Sequence, residues 1–168
     1  MTHVTAAARP SAVTGFLSAM LAMAMLIIFS SPAKAAPGED GVVKAKSAYS
    51  FEETITRLKQ DIEKKGITFF SAIDQAKLGQ AAHIPLKPST LLLFGNPPLG
   101  IQFLTANPNA GLDWPVRLLV IEDAEGQVWT AYTDFGWIAR RHGITGRDPQ
   151  FKMASEVIAS ITSSVASK

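Results

Sequence analysis

The chain has no cysteine. That removes a disulfide framework, a thiol nucleophile and every thiolate metal ligand at once. It also removes the lipidated cysteine that would follow the apolar run of a lipoprotein. Histidine is scarce, with three in 168 residues. His83 and His142 have neither His-Glu-x-x-His spacing nor a local cluster of metal-ligating neighbours, so the sequence offers no recognisable metal motif. No Ser lies in a Gly-x-Ser-x-Gly elbow, which argues against a serine hydrolase of that type. No metal or cofactor is expected.

A strong charge of one sign is missing too. The formal charge is +2, from 16 Lys and Arg against 14 Asp and Glu. Arg9 and Lys34 lie in an N-terminal stretch that reads as a secretory signal: a positive start, an uncharged apolar run from Ala12 to Phe29, then Ser-Ser-Pro-Ala-Lys-Ala ending at Ala35. Small residues at Ala33 and Ala35 suit a signal-peptidase pocket, so cleavage is expected after Ala35. The competing anchor reading needs roughly 20 apolar residues, and this run is slightly short. Without residues 1–35 the balance is 14 basic against 14 acidic residues. A nucleic-acid binder carries a basic excess, so no nucleic-acid partner is expected. Membrane contact is expected only through the signal segment before its removal. The expected location is periplasmic or secreted.

The remainder divides into a leader with a first strand (36–48) and one domain (49–168). Ser50 and Glu53 form a capping-box pattern ahead of a helix whose Phe51, Ile55, Leu58 and Ile62 share a face. Gly66 ends it. Ile67 to Ile73 reads as a strand, Asp74 to His83 as a weak helix, and Thr90 to Phe94 as a short central strand. Leu99 to Ala106 reads as a short helix. Pro115–Asp123 and Gln127–Thr133 form a hairpin around Gly126. Asp134 caps a helix reaching Arg141. A last helix starts at Asp148-Pro149 and carries Phe151, Ala154, Ile158, Ile161 and Val165 as one stripe. Helices after a hairpin predict an α+β fold with a mostly antiparallel sheet.

The segment Leu-Leu-Leu-Phe-Gly-Asn-Pro-Pro-Leu-Gly, residues 91–100, is the most distinctive stretch. Gly95 and Gly100 have the spacing of a phosphate loop, but Ile101 and Gln102 stand where Lys and Ser/Thr belong. Pro97 and Pro98 remove two amides that such a loop would use. The segment therefore reads as a strand ending in a rigid turn, with Phe94, Gly95, Asn96 and Pro97 as candidate ligand contacts. Asp113 and Trp114 join them from the following loop, with Asp113 a candidate partner of Arg117. Trp129, Trp137 and Tyr132 are further aromatic candidates for a pocket wall. Arg140, Arg141 and His142 suit a helix C-terminus through the dipole. A rival, enzymatic reading uses Asp74 or Glu122 with His83 as an acid–base pair. Glu122-Asp123 reads more simply as a solvated turn with Asx hydrogen bonds.

The phrases Arg57-Leu58, Phe70-Ser71-Ala72-Ile73-Asp74, Phe94-Gly95-Asn96-Pro97, Leu112-Asp113-Trp114-Pro115 and Glu122-Asp123 occur in an order that resembles the DUF302 family, a bacterial domain of unknown function. The resemblance runs from about Tyr49 to Ile144. It implies a curved antiparallel sheet backed by helices, in a TATA-binding-protein-like arrangement that carries no implication of DNA binding. Two positions depart from the family pattern: Gln75 stands where members often have His, and Gly100-Ile101 where they often have Gly-Thr. The resemblance brings no established activity. The reading that combines these features is an exported single-domain protein that binds a small ligand or a partner protein without catalysis.

Overall fold

A computed structural model of the protein describes residues 1–3 and 37–167. Apart from residues 1–3, the secretory signal assigned to 1–35 lies outside the described residues. The first strand β1 (Val42–Lys46) leads to helix α1 (Phe51–Lys64), strand β2 (Thr68–Asp74) and the short helix α2 (Gln75–Ala81). Strand β3 (Ser89–Gly95) runs into helix α3 (Pro97–Ala106) and a single 3-10 turn (Pro108–Leu112). The hairpin β4 (Val116–Glu122) and β5 (Val128–Thr133) follows, then helices α4 (Phe135–Arg141) and α5 (Asp148–Ser163). The five strands form one antiparallel sheet in the order β1-β5-β4-β3-β2. This is the expected α+β fold.

Period-two alternation sorts the strand residues. Leu92, Phe94, Leu118, Val120, Val128, Tyr132 and Val43 turn to one face and are buried. Against them pack Leu58 and Ile62 of α1, Phe103 of α3, Phe135 and Ile138 of α4, and the α5 stripe Phe151, Ala154, Ile158 and Ile161. Phe103 stacks on Phe151 with ring centroids 4.3 Å apart. A bulge between Phe69 and Ser71 gives β2 an extra residue, and Phe70 becomes an exposed side chain at the sheet edge.

The helix starts follow the predicted chemistry. Ser50, Asp74, Asn96 and Asp134 each accept a backbone N–H of the helix they precede. At one point the structure differs from the sequence expectation. Asn96-Pro97-Pro98 is the start of α3, not a free turn. Asn96 is the N-cap, with φ −105° and ψ 105°. The two prolines occupy the first helical positions, where a missing N–H costs nothing.

Candidate functional site

The end of β3, the first two turns of α3, the Trp114 loop and α5 line a partly open cavity of about 440 Å³. Phe94 and Val116 supply its sheet side, Phe103 and Leu99 the α3 side, and Ala154, Val157 and Ile158 the α5 side. Trp114 adds an aromatic side chain to the lining. Its indole lies against two glycines: a Cβ built at Gly95 would sit 3.1 Å from Trp114 Nε1, and one built at Gly100 would overlap the same ring. The glycines that imitate a phosphate loop thus make room for an aromatic wall. Phe70 meets Trp114 edge-on, with centroids 5.9 Å apart at 74°. Lys65, Asn96, Glu156 and Ser160 are the polar residues of the lining. Both charged ones have nearby partners: Lys65 Nζ is 2.7 Å from Asp61 and Glu156 is 3.9 Å from Lys152 Nζ.

Of the predicted contacts, Phe94, Gly95, Asn96 and Trp114 line this cavity, and Pro97 and Asp113 do not. Pro97 is exposed at the start of α3. Asp113 is buried outside this lining, its side chain 2 % exposed. It pairs with Arg117, as the sequence suggested. It also receives Arg141 Nη1 at 3.1 and 3.0 Å on its two oxygens, and His142 Nε2 lies 2.6 Å from Oδ2. The helix dipole accounts for cations at the end of α4 but does not identify Asp113 as the partner of Arg141 and His142. Its separation of 28 and 29 residues leaves no local signal. Asn107 Nδ2 donates to the His142 carbonyl at 2.8 Å, which further fixes the end of α4. A carboxylate out of water needs such partners, and here they tie the β4 approach to α4.

The other aromatic candidates separate. Trp129 donates its indole N–H to Asp123 at 2.7 Å and carries Lys44 Nζ 5.0 Å from its ring centroid. Asp123 also accepts the backbone N–H of Gln127 and Glu125, which is the Asx turn expected there. The Trp129 hydrogen bond, with those of the turn, holds the Asp123 pKa below its usual 3.8 against a smaller opposing effect of burial. Trp137 packs on Gly41, where a Cβ would overlap its ring, and Tyr132 is in the core.

The rival acid–base residues gather at the opposite end of β3. Asp74 and His83 line one open hollow beside α2. Asp74 caps α2 through Lys77 N at 2.8 Å. Glu122 lies 3.9 Å from Lys87. Among the described residues no hydrogen bond joins the His83 ring to a carboxylate. His83 is exposed and has a φ of 59°.

Comparison with known proteins gives the lineage. The family model "Domain of unknown function DUF302" matches residues 43–167. A solved DUF302 protein from Bacillus stearothermophilus, described as an uncharacterized conserved protein, superposes with a TM-score of 0.68. It covers 74 % of this chain and 98 % of its own, at 15 % identity. Two proteins named fluoride-specific ion channel FluC 1, from Brucella suis and Brucella abortus, are each 33 % identical over 118 residues. That match is 70 % of this chain but only 46 % and 44 % of theirs, so it spans less than half the length of these curated relatives. The chain belongs to the DUF302 family.

Proposed function

We propose that this DUF302 protein is an exported, non-catalytic binding protein that holds a small, largely apolar molecule in the cavity between α3, α5 and Trp114. The observation that carries the reading is the lining itself. A volume of about 440 Å³ walled by Phe94, Phe103, Trp114, Val116 and Val157 is within the range of ligand sites, and such sites are mostly apolar with a few placed polar groups. The acid–base reading has weaker support, because Asp74 and Glu122 are engaged with Lys77 and Lys87 instead of His83. Native mass spectrometry of protein purified from the exported fraction tests the proposal. A reproducible co-purifying molecule supports it, and repeated isolation of bare protein counts against it. N-terminal sequencing of the same sample checks export: a start at Ala36 is expected, and a start at Met1 or Thr2 contradicts cleavage.

A second reading rests on the FluC relatives. Sequence like that of this chain forms part of proteins named as fluoride channels, which supports a role beside such a channel. Deleting the gene should then lower the fluoride concentration that halves growth. Unchanged fluoride tolerance removes this reading and leaves the binding reading intact.

A further inference from the structure

The two faces of the sheet are not covered alike. Cross-strand pairing sets Ile73 beside Leu91, Leu91 beside Leu119, and Leu119 beside Ala131. With Leu93, Ile121 and Trp129, these side chains alternate with the buried ones and turn away from the face that the helices cover. None of them belongs to the core cluster or packs against it. Ile73 is exposed, and Leu91, Leu93, Leu119, Ile121 and Trp129 keep part of their surface in solvent. An antiparallel sheet with one wet face ordinarily alternates apolar and polar residues, whereas unbroken apolar runs belong to strands covered on both sides. Here β3 carries Leu-Leu-Leu-Phe (91–94) and β4 carries Leu-Leu-Val-Ile (118–121). Among the described residues, the packed core lies on one side of these strands only. A contiguous apolar face left over in this way marks an interaction surface.

We propose that a second copy of this chain covers that face, the two sheets packing against each other about a two-fold axis. The size fits. At ordinary strand and residue spacings a five-stranded sheet of this length spans roughly 500 Å², so two copies cover about the 1,000 Å² that a specific interface needs. The charges fit as well. The middle of the face is uncharged, Lys44 and Lys46 stand on β1 at one edge, and Arg117 near the start of β4 is paired with Asp113. A two-fold axis parallel to β4, the middle strand, sets the β1 edge of one copy against the β2 edge of the other. Ser71 and Ile73 face outward there and carry no charge, so the lysines of the two copies stay apart. Leu119 is the middle residue of β4 and lies next to that axis, near its own counterpart. The cavity is on the helix-covered side of the sheet, so this dimer leaves it free and does not depend on the binding reading.

Sedimentation velocity of the purified full chain from about 1 to about 100 µM tests the proposal. A species of twice the chain mass should grow with concentration. Leu119→Lys should weaken association by roughly tenfold or more, since it puts two unpaired charges at the centre of the interface. Ile73→Lys, at an exposed edge position where a charge is compatible with folding, should weaken it severalfold. A single-chain mass at every concentration overturns the inference, and so does a face covered by a different protein, which leaves the purified chain monomeric. Association unchanged in either folded variant overturns it too. The lack of native cysteine gives a second readout that needs no added charge. Leu119→Cys treated with a short bis-maleimide should yield a covalent dimer, and Thr105→Cys, exposed on α3, should not. Equal cross-linking of the two variants contradicts a dimer built on this face.

Discussion

Gly100 and Trp114 are mutually exclusive with any larger residue at position 100: the indole Nε1 occupies the space a Cβ would need. Gly100 is inside α3, where replacing Gly by Ala ordinarily stabilises by about 0.8–1.0 kcal/mol. Here the sign reverses. Gly100→Ala should destabilise the protein by about 1–3 kcal/mol, the usual cost of overpacking. Adding Trp114→Leu should recover part of the loss, which a urea double-mutant cycle reads directly. A stabilised Gly100→Ala variant would show that the ring does not rest there.

The Asp113 cluster makes a second prediction. Removing a buried partner from an ion pair costs roughly 3–5 kcal/mol. Arg117 and Arg141 have side chains 45 % and 42 % exposed, so solvent screens part of that, and Asp113→Asn should cost about 2–3 kcal/mol. The urea midpoint should fall at unchanged slope. Arg117→Ala, from the exposed side, should cost under about 1 kcal/mol. Equal effects from the two variants would contradict this ranking.

Asp123 links pH to the turn between β4 and β5. Its pKa is lowered in the folded state, first by the hydrogen bond from Trp129. A lowered folded pKa means a contribution to stability that is present above the usual 3.8 and is lost as pH falls through the folded value. Carboxyl carbon NMR should place the Asp123 titration below 3.8, and Trp129→Phe should move it upward. A titration unmoved by Trp129→Phe would mean that the indole is not the cause.

Much of the fold was readable from the sequence because local chemistry specifies it. Ser50 with Glu53, Asp134 and the Asp148-Pro149 pair mark helix starts by capping and proline geometry alone. The alternation in β3 to β5 identifies the buried face. Reading Asn96-Pro97-Pro98 as a rigid turn erred because an N-cap and a turn use the same residue types, and the low amphipathicity of α3 hid its first turn. The site was readable only in part. Phe94, Gly95, Asn96 and Trp114 adjoin in space as the motif suggested. The α5 wall and the Arg141–His142 link to Asp113 depend on contacts between residues far apart in the chain. Periodicity identifies Ala154 and Ile158 as core residues but cannot show that a void lies beside them.

The binding cavity itself is most directly tested by methyl NMR of the protein titrated with decan-1-ol. The account predicts shift changes concentrated in Ile67, Leu99, Val116, Val157 and Ile158, the isoleucine, leucine and valine residues of the cavity wall. They should be absent in a folded Val157→Trp variant, whose added ring would fill the space. Shifts centred instead on Ile84 and Leu86 beside Asp74 and His83, or no shifts at all, would contradict it.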